Sequence, residues 1–303
     1  MRQAILGLLA WLLATAAPAP LEGQVPPRFR GRVDVVALDV CVKDRDGRFI
    51  PELAPDDFLI LENRTPQTLE FFLPDGRLPL SVVLLLDRST SMAGAALTRA
   101  KAAATAFLDR LEPTDRVEVM AFNELADRRY ALGANLQAAA AAIASVESGG
   151  RTGLYEALLA GLRDIQRVQA HDAVDRRQVL LVLSDGEDTS SRPSFDQVLE
   201  EVRRSGALVY AVSLRTGPGN RDLPPSTELM QLAADSGGRA VTVRDLGELD
   251  AVYTEIAAEL RQLYRLGYIP TDTRADGAWR TISIRLADKG LRARTRRGYY
   301  APR

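Results

Sequence analysis

Between residues 80 and 263 the chain alternates short, uninterrupted apolar runs with longer alanine-rich or amphipathic stretches. The apolar runs are SVVLLLD, RVEVMAF, QVLLVLSD, ALVYAVSL and RAVTV. A strand with one face in water alternates apolar and polar residues, so these runs predict strands that are buried on both faces. Strands that alternate with helices predict βαβ units, which build a mostly parallel sheet with helices on both faces.

The stretches between the apolar runs carry helical patterns, and glycines mark several of their ends. The expected helices cover residues 93–111, 135–147, 153–169, 194–205, 226–236 and 246–263.

The two flanks of this region have a strand-like pattern instead. VDVVALDVCVK, FLILEN and TLEFF precede it, with turns at DRDG and around Pro66, and YRLGYIP, WRTISIRL and LRARTRRGYY follow it. Ile282, Ile284 and Leu286 share one strand face, and DKG predicts a hairpin between the last two strands. Because two or three strands alone are marginally stable in water, we expect both flanks to pair into one small β-sandwich-like region. Two separate small sheets docked on the α/β domain are the alternative.

The predicted fold class is therefore α/β, with a doubly wound, mostly parallel, Rossmann-like sheet inserted in or flanked by a small β-sandwich-like region. Residues 1–23 are expected to form a signal peptide, 30–75 an N-terminal β-strand segment, 79–263 the α/β domain, and 264–303 a C-terminal β-strand segment that pairs with 30–75.

The N-terminus has the layout of a secretory signal peptide. Arg2 precedes an apolar stretch of residues 4–13, and small residues follow, with cleavage expected near Ala16 and with Ala19 or Gly23 as alternatives. The stretch is shorter than the roughly 20 residues that span a bilayer, and no later segment approaches that length. We therefore expect a secreted or periplasmic protein without a transmembrane segment after cleavage. Cys41 is the single cysteine, so no internal disulfide is expected.

Polar side chains follow two of the predicted core strands. Asp87, Ser89 and Ser91 come directly after the first apolar run, and Asp185 ends another. Thr152 follows a glycine pair at the start of a predicted helix. In open parallel sheets ligands bind beside the carboxyl ends of the strands, so these five side chains are candidates for one site. Carboxylate and hydroxyl oxygens favour Mg²⁺ or Mn²⁺.

These five positions resemble the metal-ion-dependent adhesion site of von Willebrand factor A (VWA) domains. The site has the pattern D-x-S-x-S, then T, then D, which corresponds here to DRSTS, the threonine of GGRTGLYEAL and the aspartate of LVLSDGED. The resemblance covers about 180 residues, with the expected strand and helix context. Together with the flanking segments, the whole chain resembles the secreted bacterial group of VWFA-related Acidobacterial domain proteins.

The resemblance implies a function in binding. Ser89, Ser91 and Thr152 would be hydroxyl ligands of the cation, and Asp87 and Asp185 would hold coordinating waters and balance its charge. An open coordination position would take an Asp or Glu carboxylate of a protein partner. The expected function is thus a secreted, adhesion-type, metal-dependent protein-binding module and not an enzyme. The oligomeric state is left open.

Three other functions have less support in the sequence. A structural envelope protein with a constitutively bound metal is the first alternative, and a metal-dependent hydrolase is less favoured because His171 is the one histidine and lies in a polar stretch. Nucleic-acid binding is not expected, because 39 basic residues nearly balance 40 acidic ones. Arg292, Arg294 and Arg296 are interpreted as the solvated face of an edge strand.

Overall fold

The computed structural model describes residues 35–74, 78–172, 174–185, 188–215 and 226–303. The predicted signal peptide lies outside these residues. The described residues all fall within one compact unit, Asp34–Arg303. Among them, no helix is both long and apolar enough to cross a membrane.

The chain forms fourteen strands within the described ranges. They are β1 (Val36–Lys43), β2 (Phe58–Glu62), β3 (Thr65–Gln67), β4 (Leu69–Leu73), β5 (Leu80–Asp87), β6 (Arg116–Phe122), β7 (Ala126–Gly133), β8 (Arg177–Ser184), β9 (Leu208–Leu214), β10 (Ala240–Val243), β11 (Tyr264–Tyr268), β12 (Trp279–Leu286), β13 (Arg292–Arg294) and β14 (Gly298–Tyr300).

All six predicted helices are present, each within two or three residues of its expected ends. They are α1 (Ala95–Leu108), α2 (Leu136–Ala144), α3 (Leu154–Gln169), α4 (Phe195–Ser205), α5 (Thr227–Ser236) and α6 (Leu249–Arg261). The last helix starts later than predicted because a short 3-10 turn, Leu246–Glu248, precedes it.

A six-stranded sheet in the order β10-β9-β8-β5-β6-β7 forms the centre of the α/β region. Strands β10, β9, β8, β5 and β6 run parallel, and every residue of β5 is buried. One face packs against α1, α2 and α6, and the other packs against α3, α4 and α5. The predicted doubly wound sheet is therefore confirmed.

Strand β7 was not predicted. It pairs antiparallel with β6 at the sheet edge, and its residues are only partly buried. An edge strand with one wet face needs no apolar run, so its sequence, ADRRYALG, lacks the signal that identified the other strands.

The flanking strands form two four-stranded sheets, in the orders β13-β1-β11-β4 and β14-β12-β2-β3. Each sheet contains strands from both ends of the chain. Their inner faces share one apolar core, in which Leu38 of β1 and Leu266 of β11 contact residues such as Ile60 of β2 and Ile282 of β12. This confirms a β-sandwich-like region beside the α/β sheet, which we name the β-frame.

Two details of the β-frame differ from the sequence predictions. The segment after DKG does not form a hairpin with β12, because β13 pairs with β1 in the other sheet and only β14 returns to β12. Pro66 lies in the short strand β3 instead of a turn. Since β3 is an edge strand, a residue without an N–H donor can be accommodated there.

The interpretation of Arg292, Arg294 and Arg296 as one solvated face is also wrong. Arg292 is exposed, but Arg294 forms an ion pair with Glu259, a carboxylate of α6 that is fully buried. Arg296 lines a cavity between the β-frame and the central sheet. The chain leaves β13 towards β14 at this point, so the arginines do not continue the alternation of a single strand.

Candidate metal centre

The two aspartates of the candidate site follow neighbouring strands. Strands β5 and β8 pair in parallel with Leu86 opposite Leu183, so both chains exit at the same edge of the sheet. Asp87 is the last residue of β5, and Asp185 directly follows the last residue of β8. Parallel pairing of two apolar strands thus brings the two carboxylates to one crevice.

A chain of hydrogen bonds joins four of the five candidate residues. The Ser89 backbone N–H donates to Asp87 Oδ1 over 2.8 Å, and the hydroxyl oxygens of Ser89 and Ser91 lie 3.1 Å apart. The Ser91 hydroxyl donates to Asp185 Oδ1 over 2.8 Å. The loop after β5 therefore turns its alternate residues towards the end of β8.

Thr152 is held by its backbone to the loop that follows β8. It lies just before α3 and is buried, and its carbonyl accepts hydrogen bonds from the N–H groups of Thr189 and Ser190. The Thr189 hydroxyl is 3.1 Å from the Thr152 N–H. Among the described residues, no hydrogen bond joins Thr152 to the other four candidates.

The loop that carries Thr152 is nevertheless fixed against the loop after β5. The Gly149 N–H donates to the Arg88 carbonyl, and the Thr90 N–H and hydroxyl both donate to the Gly150 carbonyl over 2.9 Å. Asn123, at the end of β6, donates from its side chain to the Gly149 carbonyl. Three strand exits are therefore connected around one crevice.

Burial changes the proton affinity of both carboxylates. Asp87 is fully buried, and the loss of solvation raises its pKa to about 6, against the opposing effect of hydrogen bonds from Ser184 and Ser89. Burial also raises the pKa of Asp185, opposed by its hydrogen bond from Ser91 and by the charge of Arg215. A buried carboxylate is stabilised in its charged form by a nearby cation.

The spacing of these oxygen atoms suits a small divalent cation. Adjacent ligands of an octahedral Mg²⁺ at ~2.1 Å lie about 3 Å from each other. The Ser89 Oγ to Ser91 Oγ separation of 3.1 Å is of this size, and Asp185 Oδ1, 2.8 Å from Ser91 Oγ, lies where it can accept a hydrogen bond from a ligand. The donors are all oxygens, which is the set that Mg²⁺ and Mn²⁺ prefer. The residues present fit the implied metal.

The site is poor in charged ligands. Among the described residues, no three His, Cys, Asp or Glu side chains cluster as a group that could hold a metal ion. Two carboxylates and several hydroxyls remain. The carboxylates formally balance a divalent cation, but if they hold it through water its direct ligands are neutral oxygens. Such a cation keeps an affinity for a further carboxylate.

Several supporting residues were not identified from the sequence. The Ser184 hydroxyl donates to Asp87 Oδ2 over 2.5 Å, and Arg215 donates to the Asp185 carbonyl over 3.2 Å. Asp188 accepts the Tyr155 N–H at the start of α3. Ser184 stands directly before Asp185 at the end of an apolar run, which is the one signal that could have indicated it.

His171 lies far from this arrangement along the strands. It follows α3 and precedes β8, so it belongs to the amino edge of the sheet, whereas Asp87 lies at the carboxyl edge. It is exposed. The described structure therefore offers Asp87 and the two serines no histidine base.

A sequence model of the von Willebrand factor type A domain matches residues 81–255. An uncharacterized protein of Synechocystis sp. is 37% identical over 119 residues, covering 38% of this chain and 27% of that protein. Inter-alpha-trypsin inhibitor heavy chain H4 of Sus scrofa is 25% identical over 211 residues, covering 66% of this chain and 23% of that protein. The chain spans about a quarter of the length of these relatives.

Two solved structures have the same fold. A von Willebrand factor type A protein from Catenulispora acidiphila has a TM-score of 0.55 at 14% identity, covering 88% of this chain and 74% of that chain. Proximal thread matrix protein 1 from the mussel byssus, solved with a zinc-occupied MIDAS motif, has a TM-score of 0.52 at 15% identity, covering 60% of this chain and 48% of that chain.

Proposed function

The chain belongs to the von Willebrand factor type A domain family, and on this basis we propose that it is a metal-dependent protein-binding module. Asp87, Ser89, Ser91, Thr152 and Asp185 hold Mg²⁺ or Mn²⁺, and the cation binds an Asp or Glu carboxylate of a partner protein. The module is not an enzyme. It acts outside the cytoplasm, in a secreted or periplasmic location.

The proposal rests mainly on one observation: the hydrogen-bonded series of Asp87, Ser89, Ser91 and Asp185 at the carboxyl ends of β5 and β8. Four oxygen-bearing residues from two separate segments converge there, with oxygen spacings that suit a small divalent cation. The zinc-occupied MIDAS motif named for the mussel protein supports a metal site in this fold.

Each residue has a distinct role in this proposal. The hydroxyls of Ser89, Ser91 and Thr152 are the neutral ligands. Asp87 and Asp185 accept hydrogen bonds from coordinating waters and balance the charge. When bound, the cation supplies an electrophilic position for a partner carboxylate. Because the ligating groups are mostly neutral, that attraction is only partly offset by the protein.

Calorimetric titration of the protein with Mg²⁺ and Mn²⁺ tests the metal site. Ser91→Ala removes a hydroxyl that contacts Asp185. We expect the metal affinity to fall by at least about tenfold, because the loss of one contact with a charged group typically costs that much.

Thr90→Val is the matched control. It removes the neighbouring hydroxyl, which bonds the Gly150 carbonyl, and the Thr90 backbone N–H still holds that carbonyl. Its metal affinity should equal that of the unchanged protein. No heat of binding in the unchanged protein, or equal losses in both variants, would reject the site.

A pull-down from secreted and envelope fractions tests the partner. Retention should require Mg²⁺, disappear with chelator and be lost with Ser91→Ala. Metal binding without any metal-dependent partner would favour the alternative of a structural envelope protein with a constitutively bound cation. Retention that persists in chelator would show that the partner binds elsewhere on the protein.

A further inference from the structure

A polar cavity of about 240 Å³ lies at the opposite edge of the central sheet from the candidate metal centre. Its α/β side consists of the starts of β8 and β9 and the end of α4, including Gln178 and Leu208. Its other side is the β-frame, where Asp39 of β1 lies opposite Arg265 of β11. The cavity is thus built where the amino ends of the parallel strands meet the β-frame.

Two of the three arginines that line the cavity are already paired. Arg176 donates to Asp172 over 2.9 Å and to the Thr114 carbonyl. Arg265 lies 3.0 Å from Asp39 and 3.3 Å from Asp175. These arginines have their charge balanced within the protein.

The third, Arg296, is different. Among the described residues no carboxylate lies within ion-pair distance of its guanidinium, and its Nε is buried without a hydrogen-bond partner. Asp39 acts on it electrostatically but is shared between Arg177 and Arg265. In the described part of the chain its one cation–π neighbour is Tyr299, whose ring centroid lies 5.6 Å from the Arg296 guanidinium. Arg296 is partly buried, and charges taken out of water are normally paired, so Arg296 is an unbalanced cation beside a cavity.

Two further polar atoms of the lining lack partners in the described structure. Arg265 Nε is a donor and Gln178 Oε1 is an acceptor, and both are buried. Buried polar groups in proteins are rarely left unsatisfied. Together with Arg296 Nε, they are two donors and one acceptor on side chains that line the same cavity.

The backbone around Arg296 is firmly placed. Gly237, which ends α5 at φ +87°, passes so close that a Cβ there would lie 2.6 Å from the Arg296 nitrogen. The next residue, Arg297, donates its N–H to the Asp235 carbonyl and forms an ion pair with the Asp235 carboxylate. The position of Arg296 at the cavity is therefore set by α5 as well as by the β-frame.

We propose that this cavity binds a small oxyanion that also carries a hydrogen-bond donor, such as protonated phosphate or a short hydroxycarboxylate. The anionic oxygens contact Arg296 and Arg265, and the ligand's O–H donates to Gln178. Pockets for drug-sized ligands measure about 300–1,000 Å³, so this cavity admits only a small molecule. The site is separate from the metal centre and does not depend on its occupation.

Calorimetry with the full chain, freed of metal by dialysis, tests this site with two pairs of anions. Phosphate and sulfate differ in the presence of an O–H donor near neutral pH, and lactate and propionate differ by one hydroxyl. We expect phosphate or lactate to bind, each more tightly than its matched anion. Binding by phosphate alone would identify a free phosphate or phosphoryl ligand, and binding by lactate a hydroxy acid.

Two variants locate the binding. Arg296→Gln should weaken it at least about tenfold, as for loss of a charged hydrogen-bond partner, whereas Arg285→Gln, an exposed arginine of β12, should leave it unchanged. Failure of all four anions to bind, or equal binding by Arg296→Gln, overturns the proposal.

A second variant covers the case in which Arg296→Gln does not fold. Gln178→Met keeps the charge and size of the lining but removes the acceptor. It should abolish the preference for lactate over propionate and for phosphate over sulfate. An unchanged preference would overturn the assignment, and neither result bears on metal binding at Asp87.

Discussion

Asp87 shows how a single residue serves both the fold and the proposed site. Its carboxylate ends a strand in which every residue is buried, and it accepts hydrogen bonds from Ser184 and from the Ser89 backbone. These bonds only partly offset the cost of burial, since its pKa remains raised to about 6. A cation at this edge would stabilise the charge further.

Glu118 is a second buried carboxylate, and it lies outside the proposed site. It is buried on β6, and burial together with the nearby charge of Asp164 raises its pKa from 4.5 to about 7. A carboxyl group whose pKa is higher in the folded state binds protons more tightly there. The free energy of unfolding therefore falls, on account of this group, as the pH rises from about 4.5 to about 7.

Glu118→Gln should remove this pH dependence. The free energy of unfolding of the variant should rise by about 2 kcal/mol relative to that of the unchanged protein as the pH increases from about 4.5 to about 8. The reason is that an amide has no charge to bury. Urea unfolding across that pH range measures it. Glu200→Gln, an exposed residue of α4, is the control. If the free energies of unfolding of Glu118→Gln and the unchanged protein varied with pH in the same way, burial of the charged Glu118 carboxylate would have no free-energy cost.

Among single residues, the candidate metal ligands were easier to identify from the sequence than the residues that hydrogen-bond to them. Asp87, Ser89, Ser91 and Asp185 were identifiable because spaced polar residues follow apolar strands. Ser184 was not, since its one signal, a position directly before Asp185, does not distinguish a serine that supports the site from one that only ends a strand. The five metal-ligand assignments themselves stay predictions.

At the scale of elements, α6 is attached to the β-frame and to the central sheet by buried charges. Arg177, at the start of β8, is fully buried and donates to the carbonyls of Leu260 and Leu263 as well as to Asp39 of β1. Glu259 on the same helix accepts from the Tyr210 hydroxyl and pairs with Arg294. Arg177 thereby satisfies backbone carbonyls at the end of α6, and Glu259 ties the same helix to β9 and β13.

Removing the charge of Arg177 should be strongly destabilising. Arg177→Gln deprives Asp39 and two helix carbonyls of a buried donor, and we expect a loss of about 3–5 kcal/mol in the free energy of unfolding. Chemical denaturation measures the loss. Arg163→Gln, an exposed arginine of α3, should change stability by less than about 0.5 kcal/mol. Similar small effects for both variants would contradict a structural role for the Arg177 network.

Elements were predictable where periodicity was strong. The six helices and the parallel strands follow directly from apolar runs and amphipathic spacing. Strand β7, the split of the last segment into β13 and β14, and the absence of a hairpin at DKG were not predictable, because partner choice depends on long-range contacts such as β13 with β1.

At the scale of the whole molecule, the β-frame joins the two ends of the chain. Strand β11 lies between β1 and β4, and β12 lies between β14 and β2, so each sheet requires both flanks. We retain residues 79–263 as the proposed α/β domain, flanked by the two β-segments 30–75 and 264–303.

Truncation tests how independent that domain is. A fragment of residues 79–263 loses Asp39, the carboxylate paired with Arg177, and also Lys43 and Arg294, two of the cations paired with Glu259. We expect it to be less stable than the full chain by at least about 3 kcal/mol, by the cost of breaking one buried pair. Thermal unfolding of both proteins measures this. Equal midpoints would mean that the β-frame contributes nothing to the α/β domain.

We propose that the edge formed by β5 and β8 holds a divalent cation. The most direct measurement is the anomalous diffraction signal of Mn²⁺ in crystals of the protein grown with the metal. We predict one strong peak within coordination distance of the Ser89 and Ser91 hydroxyl oxygens. No peak there at saturating Mn²⁺, or a peak only at another site, would contradict the account.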